Sequence, residues 1–182
     1  MEEGTVVDSE CSVTARPVNV MVLADTHIPR RARGLPRAVQ DALSQADLIL
    51  HAGDFTGWAT LRELERYGRV VAVAGNNDDQ ELQAHLPDRT VVTVGRFRIG
   101  LVHGHGSRGT TFARAAAAFA SEAVHCVVFG HSHQPLCFRE GDVLFLNPGS
   151  PTDRRREPCY SFAWLRASER LEAEMVFFSS KA

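Results

Sequence analysis

The sequence predicts an α/β fold, with two sheets packed together and helices outside them. Apolar, strand-like runs alternate with helically spaced segments through the first half of the chain. The second half opens on a hairpin and closes on short apolar runs separated by turns. Five short polar clusters each follow directly on an apolar run, the place where ligands bind in open α/β sheets.

Composition narrows the class. The chain has 182 residues, 44% hydrophobic and 23% charged, enough for one domain with a genuine core. Wholesale disorder, collagen-like repetition and a disulfide-stapled miniprotein are excluded. With 20 basic and 22 acidic side chains, the net charge of -2 excludes a uniformly basic protein that coats nucleic acid. All the basic residues except Lys181 are Arg, so the choice of Arg at one position carries little information and only clustering can be read.

Residues 1–16 mix Glu, Ser, Thr and Gly without periodicity and predict a mobile tail ahead of a single domain over residues 17–182. Val18 to Ala24 reads as a buried strand that stops at Asp25. Pro36 to Ala46 has helical spacing, with Leu35, Val39, Ala42 and Leu43 on one side. Asp47 to His51 is a second strand, Gly57 to Tyr67 a second helix and Arg69 to Ala74 a third strand, an order that implies parallel β-α-β units. Thr90 to Val94 and Phe97 to Val102 flank Gly95-Arg96 as a hairpin. Thr111 to Ala120 is the best helix former, and Val124 to Phe129 another buried strand. Leu136–Arg139, Val143–Leu146, Tyr160–Leu165 and Leu171–Phe178 predict an antiparallel meander.

Cys11, Cys126, Cys137 and Cys159 are scattered, with Cys126 and Cys137 in apolar runs that suit small core residues. The acidic start Met1-Glu2-Glu3-Gly4 has no apolar stretch of a secretory signal, and no run approaches the roughly 20 residues that span a bilayer. A reduced, cytoplasmic protein without membrane contact is expected.

The clusters are Asp25-Thr26-His27, Gly53-Asp54, Gly75-Asn76-Asn77-Asp78, His103-Gly104-His105 and Gly130-His131-Ser132-His133. Each has a bland reading taken singly: a helix cap, a turn dipeptide, an Asx turn, an interior histidine. Five coincident strand-end clusters reverse those odds. Imidazole nitrogen with carboxylate and amide oxygen, and no thiolate, suits Mn²⁺, Fe²⁺, Zn²⁺, Co²⁺ or Ni²⁺. Ligands two apart point to one face of an extended chain, and the adjacent glycines permit tight turns.

In order and spacing these motifs, with Asn147-Pro148-Gly149-Ser150, resemble the calcineurin-like metallophosphoesterase superfamily over about Val18 to Phe178. They are most similar to its small, single-domain bacterial and archaeal phosphodiesterase branch. The resemblance implies a four-layer α/β/β/α sandwich of two mixed sheets with flanking helices, holding two divalent metal ions, Mn²⁺ foremost. It implies that Asp25, His27 and His133 hold one ion, that Asn76, His103 and His131 hold the other, and that Asp54 bridges both. The implied reaction is in-line attack of a metal-bridging hydroxide on a phosphodiester, within a pair of ions about 3.5–4 Å apart that also neutralises the phosphoryl oxygens. A phosphomonoesterase on the same site stands as the alternative. So does a scaffold module, since the retromer scaffold subunit keeps this fold while lacking part of the ligand set.

Asn77 occupies the place where many superfamily members carry a catalytic His, which favours good leaving groups or a substitute proton donor. His105 is the candidate donor; a solvent-facing loop residue is the alternative. Arg108 is a candidate contact to the substrate phosphate. Arg30-Arg31-Ala32-Arg33 with Arg37, and Arg154-Arg155-Arg156, follow two of the strand-end clusters, so both would flank the rim as an anion-attracting surface or as solvated loops. His51 reads as a partner of the site or as core, and Phe55 and Trp58 as core. The expected partner is a small anionic phosphoester, with nucleotides and nucleic acid within that class; a homo-oligomer is also consistent with the family.

Overall fold

Alternation along each strand divides the molecule into layers. In β1 (Val18–Leu23), Val20 and Val22 turn towards the second sheet, whereas Met21 and Leu23 turn towards helices. The computed structural model describes residues 16–182; the expected tail, apart from Arg16, and Cys11 lie outside the described residues. Arg16 pairs with Asp47.

The first sheet has the order β10-β9-β1-β2-β3, built from β2 (Leu48–His51), β3 (Val70–Ala72), β9 (Tyr160–Ala167) and β10 (Leu171–Phe178) around β1. β1, β2 and β3 run parallel, with Val20 opposite Leu48 and Leu50 opposite Val71. The second sheet has the order β4-β5-β6-β8-β7, from β4 (Arg89–Val94), β5 (Phe97–Val102), β6 (Cys126–Phe129), β7 (Leu136–Glu140) and β8 (Val143–Asn147). Its inner strands β5, β6 and β8 are also parallel. Both sheets are therefore mixed, as expected.

Three apolar clusters separate the layers. Val20, Leu50, Ile99, Val128, Leu146 and Leu165 belong to the cluster between the sheets. Helices α1 (Arg37–Leu43), α2 (Trp58–Glu65) and α3 (Gln80–His85) bury Val39, Leu43, Leu61, Leu64 and Leu82 against the outer face of the first sheet. Helix α4 (Thr111–Ala118) packs Ala115, with Phe119 just beyond it, against Val127, Phe129 and Phe145 on the second sheet. That is the four-layer α/β/β/α sandwich.

Two expectations are corrected. The last four strands do not form one meander: β7 and β8 pair at the edge of the second sheet, while β9 and β10 pair in the first, with β9 beside β1. Two consecutive hairpins read the same in sequence whether they share a sheet or not, and the burial of β8 beside parallel β6 separates them. Helix α3 was not foreseen. It has six residues and one fully buried side chain, Leu82, so it lacks an apolar stripe; it starts where Asp79 accepts the Leu82 N–H at 2.8 Å.

Leu50 is completely buried between the sheets. Leu50→Ala is expected to cost about 2–5 kcal/mol of stability, from lost transfer energy and the cavity left behind. Urea unfolding followed by circular dichroism measures it, and a loss below ~1 kcal/mol would contradict close packing of the sheets at that point.

Candidate metal centre

The parallel strands of both sheets end on one rim. The polar clusters follow β1, β2, β3, β5 and β6, and Asn147 ends β8 beside them. Cross-links stitch these ends together: the Gly53 carbonyl accepts the Asp25 N–H at 3.0 Å and the Asp54 carbonyl accepts the His27 N–H at 3.0 Å. The rim is shared between sheets, because His103 Nδ1 donates to the Ala52 carbonyl at 2.7 Å.

That bond fixes the imidazole chemistry. A carbonyl only accepts, so Nδ1 of His103 carries the proton and Nε2 of the neutral ring is a lone pair. This Nε2 faces Asn76 Oδ1 at 3.1 Å and Asp54 Oδ2 at 3.3 Å, two further acceptors. His133 repeats the pattern, with Nδ1 donating to the Asp153 carbonyl and Nε2 lying 3.2 Å from His27 Nε2 and 3.4 Å from Asp25 Oδ1. Asp25 Oδ2 accepts the His131 N–H at 2.8 Å, but Asp25 Oδ1 is buried with no hydrogen-bond partner. A buried carboxylate oxygen without a partner is costly, and histidines backed by a carbonyl on the far nitrogen are typical of metal ligands. The donor set fits divalent cations.

Asp54 stands between the two groups. Its Oδ2 is 3.6 Å from His27 Nε2 and 3.3 Å from His103 Nε2. Asn77 holds this carboxylate with two donors, its backbone N–H to Oδ1 at 2.8 Å and its side-chain amide to Oδ2 at 2.7 Å. Gly75 has to be glycine here, since a Cβ would lie 2.2 Å from the Asp54 backbone nitrogen and from Oδ1. The ring of His131 lies 5.2 Å from that of His103, centroid to centroid. Ligating atoms of Asp25, His27 and His133, and of Asp25, Asp54 and His103, lie within 4.8 Å of one another, with Asn76 beside His103 and the His131 ring near it.

The backbone is bent to achieve this. Among the described residues seven non-glycine residues have positive φ, and five of them are Asp25, His27, Asp54, His131 and His133. Left-handed backbone at such residues costs on the order of 1–3 kcal/mol each and persists only where surrounding bonds enforce it. Buried Asp78 accepts N–H groups from Thr56 and Gly75, both at 2.7 Å, and from Asp54 at 3.3 Å, tying two of the turns together. Ser150 and Thr152 donate to the carbonyls of Asp25 and Thr26, and Asn147 donates to the Gly130 carbonyl at 2.9 Å. His51 accepts the Gly53 N–H on Nδ1 and meets Thr26 Oγ1 through Nε2 at 3.1 Å, so it is a buried partner of the turns. Phe55 is core, stacked on His51.

Arg114 supports the site without having been foreseen. From α4 its guanidinium donates to the carbonyls of Gly104, Arg108 and Gly109 and to Thr111 Oγ1, clamping the loop that carries His103 and His105. A helix arginine whose partners lie in the preceding loop has no sequence signature. His105 is exposed, its ring centroid 5.6 Å from that of His103 and 6.4 Å from that of His131. Arg108 lies on the exposed part of this loop, and only its carbonyl takes part in the clamp.

Burial dominates the electrostatics. It raises Asp25 to about 7, and it lowers His131 and His133 to about 4 each. Burial also pushes Asp54 upward, but hydrogen bonds from His103 and Asn77 outweigh it and hold Asp54 below the usual carboxylate range. For His103 burial opposes the charge, and its bond to Asp54 with the nearby Asp25 charge raises it above 6.5. Asp25 therefore carries a proton near neutrality that a cation must displace. The sign follows: Mn²⁺ affinity should fall as pH drops below about 7, with a slope near one in log Kd per proton displaced, and level off above it. Calorimetric titration with Mn²⁺ from pH 5.5 to 8 measures this; a flat profile would show that Asp25 is not a ligand.

The residues 18–170 match the family model of the calcineurin-like phosphoesterase superfamily domain. A probable metallophosphoesterase of Methanothermobacter thermautotrophicus is 40% identical over 158 residues, covering 85% of this chain and 90% of that protein. A second probable metallophosphoesterase, from Methanocaldococcus jannaschii, is 36% identical over 157 residues, covering 85% of this chain and 79% of the relative. Among solved structures, Vacuolar Protein Sorting 29 of Cryptosporidium parvum superposes with a TM-score of 0.71 over 90% of this chain and 99% of that one, at 23% identity, which is a likeness of fold. No helix among the described residues is long and apolar enough to cross a membrane. Motif order, sandwich and family match agree, and the chain belongs to the calcineurin-like phosphoesterase superfamily.

Proposed function

We propose that the chain is a dinuclear metal-dependent phosphodiesterase. The observation that supports it most is the double-facing carboxylate of Asp54, with Nε2 of His27 at 3.6 Å on one side and Nε2 of His103 at 3.3 Å on the other. Strained backbone and a buried unpartnered carboxylate oxygen around one shared carboxylate favour a site held for chemistry. Asp25, His27 and His133 would hold one ion, Asn76, His103 and His131 the other, and Asp54 both. When bound, such a pair of ions supplies Lewis acidity, which lowers the pKa of water and offsets charge on the phosphoryl oxygens. Mn²⁺ is the ion proposed, and the nitrogen and oxygen donors also suit Fe²⁺, Zn²⁺, Ni²⁺ or Co²⁺.

The chain's own residues do the rest. Asp54 sets the separation of the two donor groups, and the paired donors of Asn77 keep its carboxylate turned towards both. Asn77 cannot pass a titrating proton to a departing oxygen. His105 is the nearest exposed imidazole, and burial with the His103 charge lowers its pKa, so at pH 7 it is mostly neutral. A neutral imidazole is a weak acid, which suits esters whose leaving group departs unaided. Diesters with stable leaving groups are therefore the preferred substrates.

Hydrolysis of bis-p-nitrophenyl phosphate, stimulated by Mn²⁺ and abolished by chelator, is the expected activity. Asp54→Asn or His131→Ala should reduce kcat/KM at least about a hundredfold, roughly 2.7 kcal/mol. Activity surviving both substitutions would remove the site assignment. Turnover of p-nitrophenyl phosphate alone would make the protein a monoesterase, and metal binding without turnover of either ester would make it a scaffold.

His105 has its own test. His105→Ala should slow a diester with an alkyl leaving group by about tenfold or more while changing bis-p-nitrophenyl phosphate far less. Equal effects on the two esters would exclude proton donation by His105.

A further inference from the structure

Two arginines flank the centre, and they are engaged differently. Arg114 lies on the His103–His105 side, where it donates to the Gly104 carbonyl at 2.8 Å. Its guanidinium is already bound to three loop carbonyls and to Thr111 Oγ1. Arg155 stands on the opposite side, two residues after Asp153, whose carbonyl accepts from His133 Nδ1.

The segment that carries Arg155 is anchored to the centre. The Asp153 carbonyl accepts from His133 Nδ1, and Ser150 Oγ and Thr152 Oγ1 donate to the carbonyls of Asp25 and Thr26. Arg156, like Arg155, is exposed and makes no side-chain hydrogen bond or ion pair among the described residues, whereas three other nearby cations are engaged. Arg31 pairs with Asp153 at 3.1 Å, Arg154 donates to the carbonyls of Glu157 and Pro158 and lies over the Tyr160 ring, and Lys181 donates to the carbonyls of Arg31 and Thr152. Arg155 is exposed, has a left-handed backbone with φ 50°, and makes no hydrogen bond or ion pair among the described residues. It is a free guanidinium on a braced loop at the mouth of the donor cluster.

We propose that Arg155 binds a second phosphate of the substrate, one adjacent to the diester being cut, so that the protein prefers diesters carrying a neighbouring phosphate, as in an oligonucleotide. The proposal rests on the phosphodiesterase reading. Asp25, His27, Asp54, His103 and His133 are buried, whereas Arg155 is exposed, so its guanidinium stands farther out than a group held between them and meets what flanks it. A guanidinium offers paired N–H donors that match two phosphate oxygens, and a cation without a protein partner gives up nothing to make that contact.

A matched pair of substrates tests this: thymidine 5′-(p-nitrophenyl phosphate) with and without a 3′-phosphate, which share one leaving group. The wild-type protein with Mn²⁺ should show kcat/KM about tenfold higher on the 3′-phosphorylated compound, mainly through a lower KM, and the advantage should shrink with added salt. Arg155→Gln should bring the ratio of the two close to one, and Arg155→Lys should restore only part of it, because the charge returns without the paired donors. Equal rates on the two compounds in the wild type, or a preference that survives Arg155→Gln, would overturn the proposal and leave the phosphodiesterase reading standing. Failure to cleave either compound or bis-p-nitrophenyl phosphate would overturn both.

Discussion

Lone pairs crowd together at the rim of this sandwich. Nε2 of His103 faces Asp54 and Asn76, Nε2 of His133 faces His27 and Asp25, and one carboxylate oxygen of Asp25 is buried without a donor. Acceptors held this close repel one another, so the arrangement is satisfied only by protons or cations placed between them. Much else near the rim serves to keep these groups in place against that repulsion.

The two-sheet architecture makes the bracing feasible. β1, β2 and β3 deliver Asp25, His27, Asp54 and Asn76 from one sheet, and β5 and β6 deliver His103, His131 and His133 from the other. The apolar layer between the sheets sets how the two rims meet. Bonds across the rim then turn the backbone at five ligand positions into left-handed conformations. Asp78, Ser150, Thr152, Asn147 and His51 are the struts, and each is buried with its polar atoms directed at backbone or side chains of the turns. Strain of this kind is tolerated where geometry has to be held for chemistry.

Charge is divided along the mouth. The acidic groups are sequestered, with Asp25 and Asp54 fully buried and Asp153 paired with Arg31. The basic groups lie outside them, on loops after β1 and β8 and at the start of α4. An anionic ester would approach through a positive surface towards buried donors, which is the order that raises encounter and then rewards desolvation. The absence of a histidine at position 77 fits the same picture, because Asn77 orients Asp54 and transfers no proton.

The fold class, the parallel first half, the hairpin and the polar clusters gathered at the strand ends were legible along the chain, because apolar periodicity and strand-end motifs are local properties. Helix α3 escaped because one buried leucine leaves no stripe, and the sheet assignment of the last two hairpins escaped because pairing partners are set by packing across the molecule. The same distance in sequence hid Arg114, whose partners lie in the loop before its helix, and the supporting part of Asp78, whose carboxylate joins turns more than twenty residues apart. It also hid the difference between Arg154 and the two arginines after it, since three consecutive arginines look alike until one rests on Tyr160. Residue types and their order determined which chemistry this chain carries; only tertiary contacts decided which donors face each other, because orientation depends on partners that the chain meets after folding.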